Sequence, residues 1–325
     1  MKLVKVRLPL IILIIIILLI VFLSVIVVFF LRKSHEVVVG QDLKSGQSEY
    51  KYINPLLDCA DTEIDSFVYG NIKEKINSLI KNNIANNKVT EVSLYFRDLN
   101  NGPWFGYNDE EKFSPASLMK VPLLIAYFKL SETDEDLLNK TINSGSAEEG
   151  LSQNIRPAKK IEANKDYTIL ELLNYMIRYS DNVATQILLK NISQSNLESI
   201  YKDLSLKMPN WGNMENYMTV KDYSSFFRIL YNASYLNREK SELALNILSE
   251  SIFTEGLRAG VPEDIIIAHK FGERILIDQK QLHDCGVVYQ EKGDYLVCIM
   301  TRGNNFKEMG QVIGEISEII YNNFY

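Results

Sequence analysis

The run from Phe113 to Leu130, FSPASLMKVPLLIAYFKL, sets Ser117 three residues before Lys120 at the head of a long apolar stretch. Residues three apart lie on one face of a helix. A lysine that is desolvated near another cation gains an accessible neutral form and can take a serine proton. Ser117 is thus a candidate acylating nucleophile and Lys120 its base. The pair alone is equally the pattern of a polar helix start with a solvated lysine. Two further stretches add weight. In YSDNVAT, Ser180 could pass a proton to a leaving nitrogen, Asn182 could fix Lys120 or a substrate amide, and Asp181 would brace the loop. The same three residue types also make ordinary caps and turns. In AHKFGE, Lys270 is a charge inside an apolar strand, which places it either at an edge or in a cleft. Gly272 would let a substrate backbone lie close to that strand. The N–H groups of Ser117 and Glu273 could then form an oxyanion hole.

Histidine is scarce: His35, His269 and His283 are the three in the chain. A Ser-His-Asp arrangement could use only the last two. Strand alternation turns His269 away from the Lys270 face, and His283 with Asp284 reads as a structural hydrogen-bonding pair. Neither a catalytic metal nor a cofactor is called for. The net charge of -6 offers no basic surface for nucleic acid.

These residues need elements to position them. VSLYF alternates and is followed by NNGPWFGY, a hairpin signal. It is preceded by a helical spacing from Ile64 through Phe67, Val68, Ile72, Ile76, Leu79 and Ile80. The middle of the chain is helical, with TILELLNYMIRYS, DNVATQILLKNI, TVKDYSSFFRILYNASYL and SELALNILSESIF as amphipathic segments. The period then changes to strands in DIIIAHKFGE, CGVVYQ and DYLVCIMTRG. A last helix carries Met309, Val312, Ile313, Ile316, Ile319 and Ile320. The expected architecture is α+β and two-lobed, with an antiparallel sheet built from both ends of the chain, flanking helices and a helical lobe.

Leu8 to Leu31 is a 24-residue run without charge. As a helix it would be about 36 Å long, enough to cross a hydrocarbon core of ~30 Å. Lys2, Lys5 and Arg7 before it favour an inside N-terminus. The run is longer than a signal-peptide core and lacks a small-residue cleavage site. The sequence therefore predicts a cytoplasmic tail over 1–7, a transmembrane signal-anchor helix over 8–31, an extracellular linker over 32–52 and a catalytic domain over 53–325 outside the membrane. Of the three cysteines, Cys285 and Cys298 flank a hairpin and could bridge; three separate buried thiols, with Cys59, is the equal alternative.

Taken in order, S-x-x-K, S-D-N and K-x-G resemble the active-site serine penicillin-recognising enzymes, and most closely the class A beta-lactamase branch. The likeness runs from about Tyr52 to the C-terminus. It implies that Ser117 acylates on a beta-lactam or a D-alanyl peptide carbonyl, with Lys120 as base and Ser180 as relay. Lys270 would help bind the substrate carboxylate, and the Glu273 amide would complete the oxyanion hole. Two departures stand out. Phe271 replaces the Thr or Ser of K-T/S-G. The stretch LSLKMPNWGNMENYM, where an E-x-x-L-N pattern would supply the deacylating glutamate, lacks that pattern, is short and has Glu215 as its acid. The resemblance therefore implies acylation with slow turnover. The alternatives are a D,D-peptidase or penicillin-binding protein acting on peptidoglycan peptide, and a non-catalytic cell-wall binding domain.

Overall fold

A computed structural model describes residues 50–55, 69–147, 154–207, 216–276 and 279–324. Strands β1 (Glu91–Asp98) and β2 (Trp104–Tyr107) form the first hairpin, whose turn carries Gly102 at φ 88°. Strands β5 (Ile266–Ile275), β6 (Lys280–Tyr289) and β7 (Tyr295–Gly303) form a meander at the other end of the chain. Together they make one antiparallel sheet in the order β2-β1-β7-β6-β5. The joint between the two ends is β1 on β7, paired from Glu91↔Arg302 to Asp98↔Tyr295. Every residue of β7 is buried. Its unbroken LVCIM run follows from that, because a strand covered on both faces has no polar side to alternate with.

One face is covered by α1 (Gly70–Ala85) and α8 (Phe306–Asn323), through Ile72, Ile76 and Ile80 on one and Met309, Val312, Ile313, Ile316 and Ile320 on the other. The helical lobe packs on the opposite face. Its axis is α2 (Lys120–Ser131), in which every residue from Lys120 to Phe128 is buried. Around it lie α3 (Ile169–Arg178), α4 (Asn182–Lys190), α5 (Gln194–Asp203), α6 (Val220–Tyr231) and α7 (Arg238–Ser249). Each of these five begins at a Thr, Asp, Ser or Asn side chain that accepts a first-turn N–H. Strands β3 (Thr141–Asn143) and β4 (Asp166–Thr168) pair beside the lobe. The two-lobed α+β architecture is as the pattern implies.

Several expectations change. Cys285 and Cys298 face each other across β6 and β7 and are bridged, which settles the open alternative; Cys59 lies outside the described residues. The first helix is described from Gly70, so Ile64, Phe67 and Val68 also lie outside. Strand β6 starts at Lys280, five residues before CGVVYQ. Its opening KQLHD hides the strand signal, because Gln281, His283 and Asp284 are polar yet buried, each hydrogen-bonded inside the protein.

The expected membrane anchor is not part of this architecture. Among the described residues no helix is long and apolar enough to cross a membrane. The longest, α8, has 18 residues and carries Lys307, Glu308, Glu315 and Glu318 on the side away from the sheet, a charge load a hydrocarbon core would not accept. The Leu8–Leu31 run, the tail before it and residues 32–49 lie outside the described residues. Single-pass attachment, the membrane as a partner and an extracellular placement of the domain are accordingly dropped from the functional reading.

The 3-10 turn Gly256–Gly260 packs against α8 so closely that a Cβ on Gly260 would run into the backbone of Gly314 and Glu318. Gly260→Ala is expected to lower the urea midpoint, with a loss of ~1–3 kcal/mol.

Candidate active site

Ser117 lies in a 3-10 turn, Ala116–Met119, that runs directly into α2. The turn is held from both lobes. From the sheet, Gln281 Oε1 accepts the Ser114 N–H at 3.0 Å, and His283 Nε2 donates to Ser114 O at 3.0 Å. Burial lowers the His283 pKa to about 4. The ring is therefore neutral, with its proton on Nε2 and Nδ1 free to accept Thr301 N–H at 3.3 Å. From the helical lobe, Tyr223 Oη donates to Leu118 O at 2.9 Å, and the Tyr217 and Tyr201 hydroxyls reach Met119 Sδ at 2.9 and 3.3 Å. Ala116 is in the left-handed region, φ 51°, a conformation a non-glycine residue keeps only when its surroundings impose it. The clamp supplies that imposition and leaves the Ser117 side chain half-buried at the head of the helix.

Gly272 has a different use from the one expected. A Cβ there would stand 2.7 Å from Pro115 O and 3.0 Å from Leu118 N. The backbone it admits is the serine turn itself, so β5 abuts Ser117 directly. Of the clamp residues, the sequence points to His283 as a structural hydrogen-bonding residue and gives Gln281 no role. Their signal was two polar residues at i and i+2, hence on one face of a strand.

Behind the turn, Lys120 is buried and its Nζ donates to Ser180 O at 2.6 Å, Asn182 Oδ1 at 2.8 Å and Ser180 Oγ at 3.1 Å. From β5, Lys270 Nζ, also buried, donates to Ser180 Oγ at 2.9 Å and to Phe271 O at 2.7 Å. Ser180 holds a left-handed φ of 55° between α3 and α4, which sets its hydroxyl between the two amines. The structure thus brings Lys120, Ser180, Asn182 and Lys270 into one cluster. The described contacts of the Lys120 amine are with Ser180 and Asn182; Ser117 stands one turn before it on the same helix.

Burial dominates the electrostatics. It brings the Lys120 pKa down to about 7, against the opposing pull of Asp181 and Glu273. Lys270 is lowered well below the usual lysine value, first by burial and then by the neighbouring Lys120. The Ser180 hydroxyl owns one proton, and that proton finds a lone pair on an amine only when the amine is neutral. Asp181 caps α4 through Ala184 N–H at 2.7 Å and accepts Ile161 N–H at 3.1 Å. It braces the loop and does not touch the lysines through a hydrogen bond among the described contacts.

On the edge strand, Phe271 O points off the sheet to Lys270 Nζ. Residue 273, two further on, presents its N–H and C=O on the same free edge. The Glu273 carboxylate accepts Asn154 N–H at 2.7 Å, Ile155 N–H at 2.8 Å and Asn154 Nδ2 at 2.7 Å, tying the 154–155 strap to the strand. His269 pairs with Asp284, Nδ1 to Oδ1 2.9 Å. Asp284 and His283 are adjacent on a strand and face opposite ways, so the expected His283–Asp284 pair does not form.

Comparison with known proteins follows the same lines. The family model described as "Beta-lactamase2: Beta-lactamase enzyme family" matches residues 71–324. The chain belongs to the beta-lactamase enzyme family. It is similar to Beta-lactamase VEB-1 of Pseudomonas aeruginosa, 23% identical over 297 residues, with 79% of this chain and 93% of the relative covered. A Bacillus licheniformis beta-lactamase is 23% identical over 249 residues, covering 71% and 78%. Among solved structures, a mutant of PBP-A in an acyl-enzyme complex with penicillin G superposes at TM-score 0.65 and 22% identity, covering 80% of this chain and 98% of that one. A beta-lactamase from Chitinophaga pinensis gives TM-score 0.67 and 21% identity, covering 78% and 100%. These structural likenesses speak to the fold.

The protein is a beta-lactamase-like serine hydrolase. Its departures from the family pattern are local. Phe271 replaces a hydroxyl-bearing residue, and its ring stacks on Phe253 with centroids 4.0 Å apart. Glu215, the acid of the shortened segment, lies outside the described residues. In lysine side-chain NMR, with a Lys120→Arg variant to assign the resonance, Lys120 is expected to titrate at about 7, against ~10.4 for an exposed lysine.

Proposed function

We propose that this beta-lactamase-family protein is acylated at Ser117 by a beta-lactam or a D-alanyl-peptide-like carbonyl, and that the acyl-enzyme is released slowly. The observation that carries the reading is the Ser180 hydroxyl shared by two buried lysines, one of them a helical turn from Ser117. Neutral Lys120 accepts the Ser117 proton as Oγ bonds to the carbonyl carbon. The N–H groups of Ser117 and Glu273 hold the resulting oxyanion. Collapse breaks the C–N bond, and the leaving nitrogen takes its proton from the Ser180 hydroxyl, which is resupplied from Lys120. Asn182 keeps the Lys120 amine aimed, and Lys270 keeps the Ser180 hydroxyl aimed. Gly272 serves by letting the strand and the serine turn meet. The segment from Leu204 to Met218 carries no E-x-x-L-N glutamate to activate a deacylating water, which supports slow release. Of the two matches elsewhere, Glu135 precedes the SDN stretch, and Glu242 sits on α7 with its carboxylate taken by the N–H groups of residues 51–53.

The pH dependence follows in sign. An ammonium has no lone pair, so acylation is slow while Lys120 is protonated. It rises as pH passes about 7 and then levels. Intact-mass analysis over time after addition of a penicillin is expected to show one persistent adduct, formed faster at pH 8 than at pH 6 and absent in Ser117→Ala. A transient adduct would mean efficient hydrolysis, and no adduct in the unaltered chain would sink the acylation reading. A second reading, cleavage of wall peptide, uses the same steps with a peptide carbonyl. Release of the terminal residue from a D-alanyl peptide, lost in Ser117→Ala, would favour it.

A further inference from the structure

Beside Lys270, the position that carries a hydroxyl in the family pattern is filled by the Phe271 ring, its centroid 4.1 Å from Lys270 Nζ. Phe271 and Phe253 are both nearly fully buried and stacked on each other. The ring that replaces the hydroxyl thus belongs to the apolar core on the α1–α8 side of the sheet and offers the cleft no donor. Arg258, His269 and Arg274 each have other partners. Arg258 donates to the carbonyl oxygens of Ile265, at 2.5 Å, Val261, at 3.2 Å, and Pro262. His269 is buried against Asp284. Arg274 lies four residues along β5 from Lys270, about 13 Å, and donates to Ser114 Oγ at 3.4 Å behind the serine turn. Lys270 itself is committed to Ser180 Oγ and Phe271 O. The charged side chain next along this free edge is an acid, Glu273, pinned in place by the 154–155 strap.

We propose that the site selects acyl donors carrying no carboxylate next to the Lys270-Phe271-Gly272 strand, with Phe271 and Glu273 as the residues that determine this specificity. The favoured class is a neutral ester or amide at that end, such as a peptide that continues or is amidated beyond the scissile bond. The physics is exclusion. An anion there would find no hydroxyl at residue 271 and would meet a fixed like charge in Glu273. The inference rests on acylation of Ser117 and refines what does the acylating.

The test measures second-order acylation rate constants of the full chain by intact mass, for benzylpenicillin and for its methyl ester. Each is divided by the compound's own rate of hydroxide ring opening. The ester is expected to react faster by at least about tenfold. Glu273→Gln keeps an oxygen to accept the Asn154 and Ile155 N–H groups and removes the charge; it is expected to raise the free-acid rate severalfold and shrink the ratio. Phe271→Thr restores a hydroxyl and is expected to shrink it further. Should Phe271→Thr fail to fold, the unaltered chain and Glu273→Gln decide the matter. A free-acid preference with Ser117 labelled overturns this specificity and leaves acylation standing, as does a ratio that neither variant moves. No adduct from either compound overturns acylation and the specificity together.

Discussion

Two buried amines donate to one buried hydroxyl, and the rest of the structure answers to that constraint. Burying one ammonium is costly and burying two side by side is prohibitive unless they shed charge. Here the cost is met by lowering both pKa values, Lys120 to about 7 and Lys270 well below the usual lysine value. Asp181 and Glu273 keep Lys120 from falling further. They do so from outside the cluster, each engaged with backbone N–H groups of the 154–161 segment. A lysine that is half-protonated near neutrality is the product of this balance, and it is the form a general base needs.

The fold delivers the three partners from three unrelated pieces of chain. Lys120 comes from a helix whose neighbours are apolar on every side. Ser180 comes from the tight turn between α3 and α4, and Lys270 from the edge strand of the sheet. The edge is what makes β5 useful: one side of its backbone pairs with β6, and the other is free to face a cleft. Gly272 lets that edge come up against the serine turn, and Gln281 and His283 from β6 hold the turn in place through Ser114. Two of the non-glycine residues in the left-handed region, Ala116 and Ser180, adjoin the reacting groups. Strain of this kind persists where packing on all sides leaves no alternative.

The departures from the family pattern sit outside the cluster. Phe271 changes what lies beside Lys270 without disturbing its contacts with Ser180 and with the strand. Proton handling and substrate choice are thus built from separate residues on the same strand, and one can alter while the other stays intact. Asp284 follows the same economy. It fixes His269 and the Leu257 N–H and leaves the cleft to the lysines.

The motif residues, the hairpins, the helical middle and the pairing of both chain ends in one sheet were legible in the sequence. Periodicity and turn chemistry are local, and local rules hold for long patterned segments. The strand over KQLHD was not, because its polar residues are satisfied by partners far along the chain. Nor was the reason for Gly272, since a close approach is a property of two segments and is written in neither. The same holds for the site. Sequence alone established which side chains could exchange a proton. That Lys120 and Lys270 meet at Ser180, that Asp284 belongs to His269 and that the arginines turn away from Phe271 were decided by packing. Burial and distance set those outcomes, and both come into being only when the chain is folded.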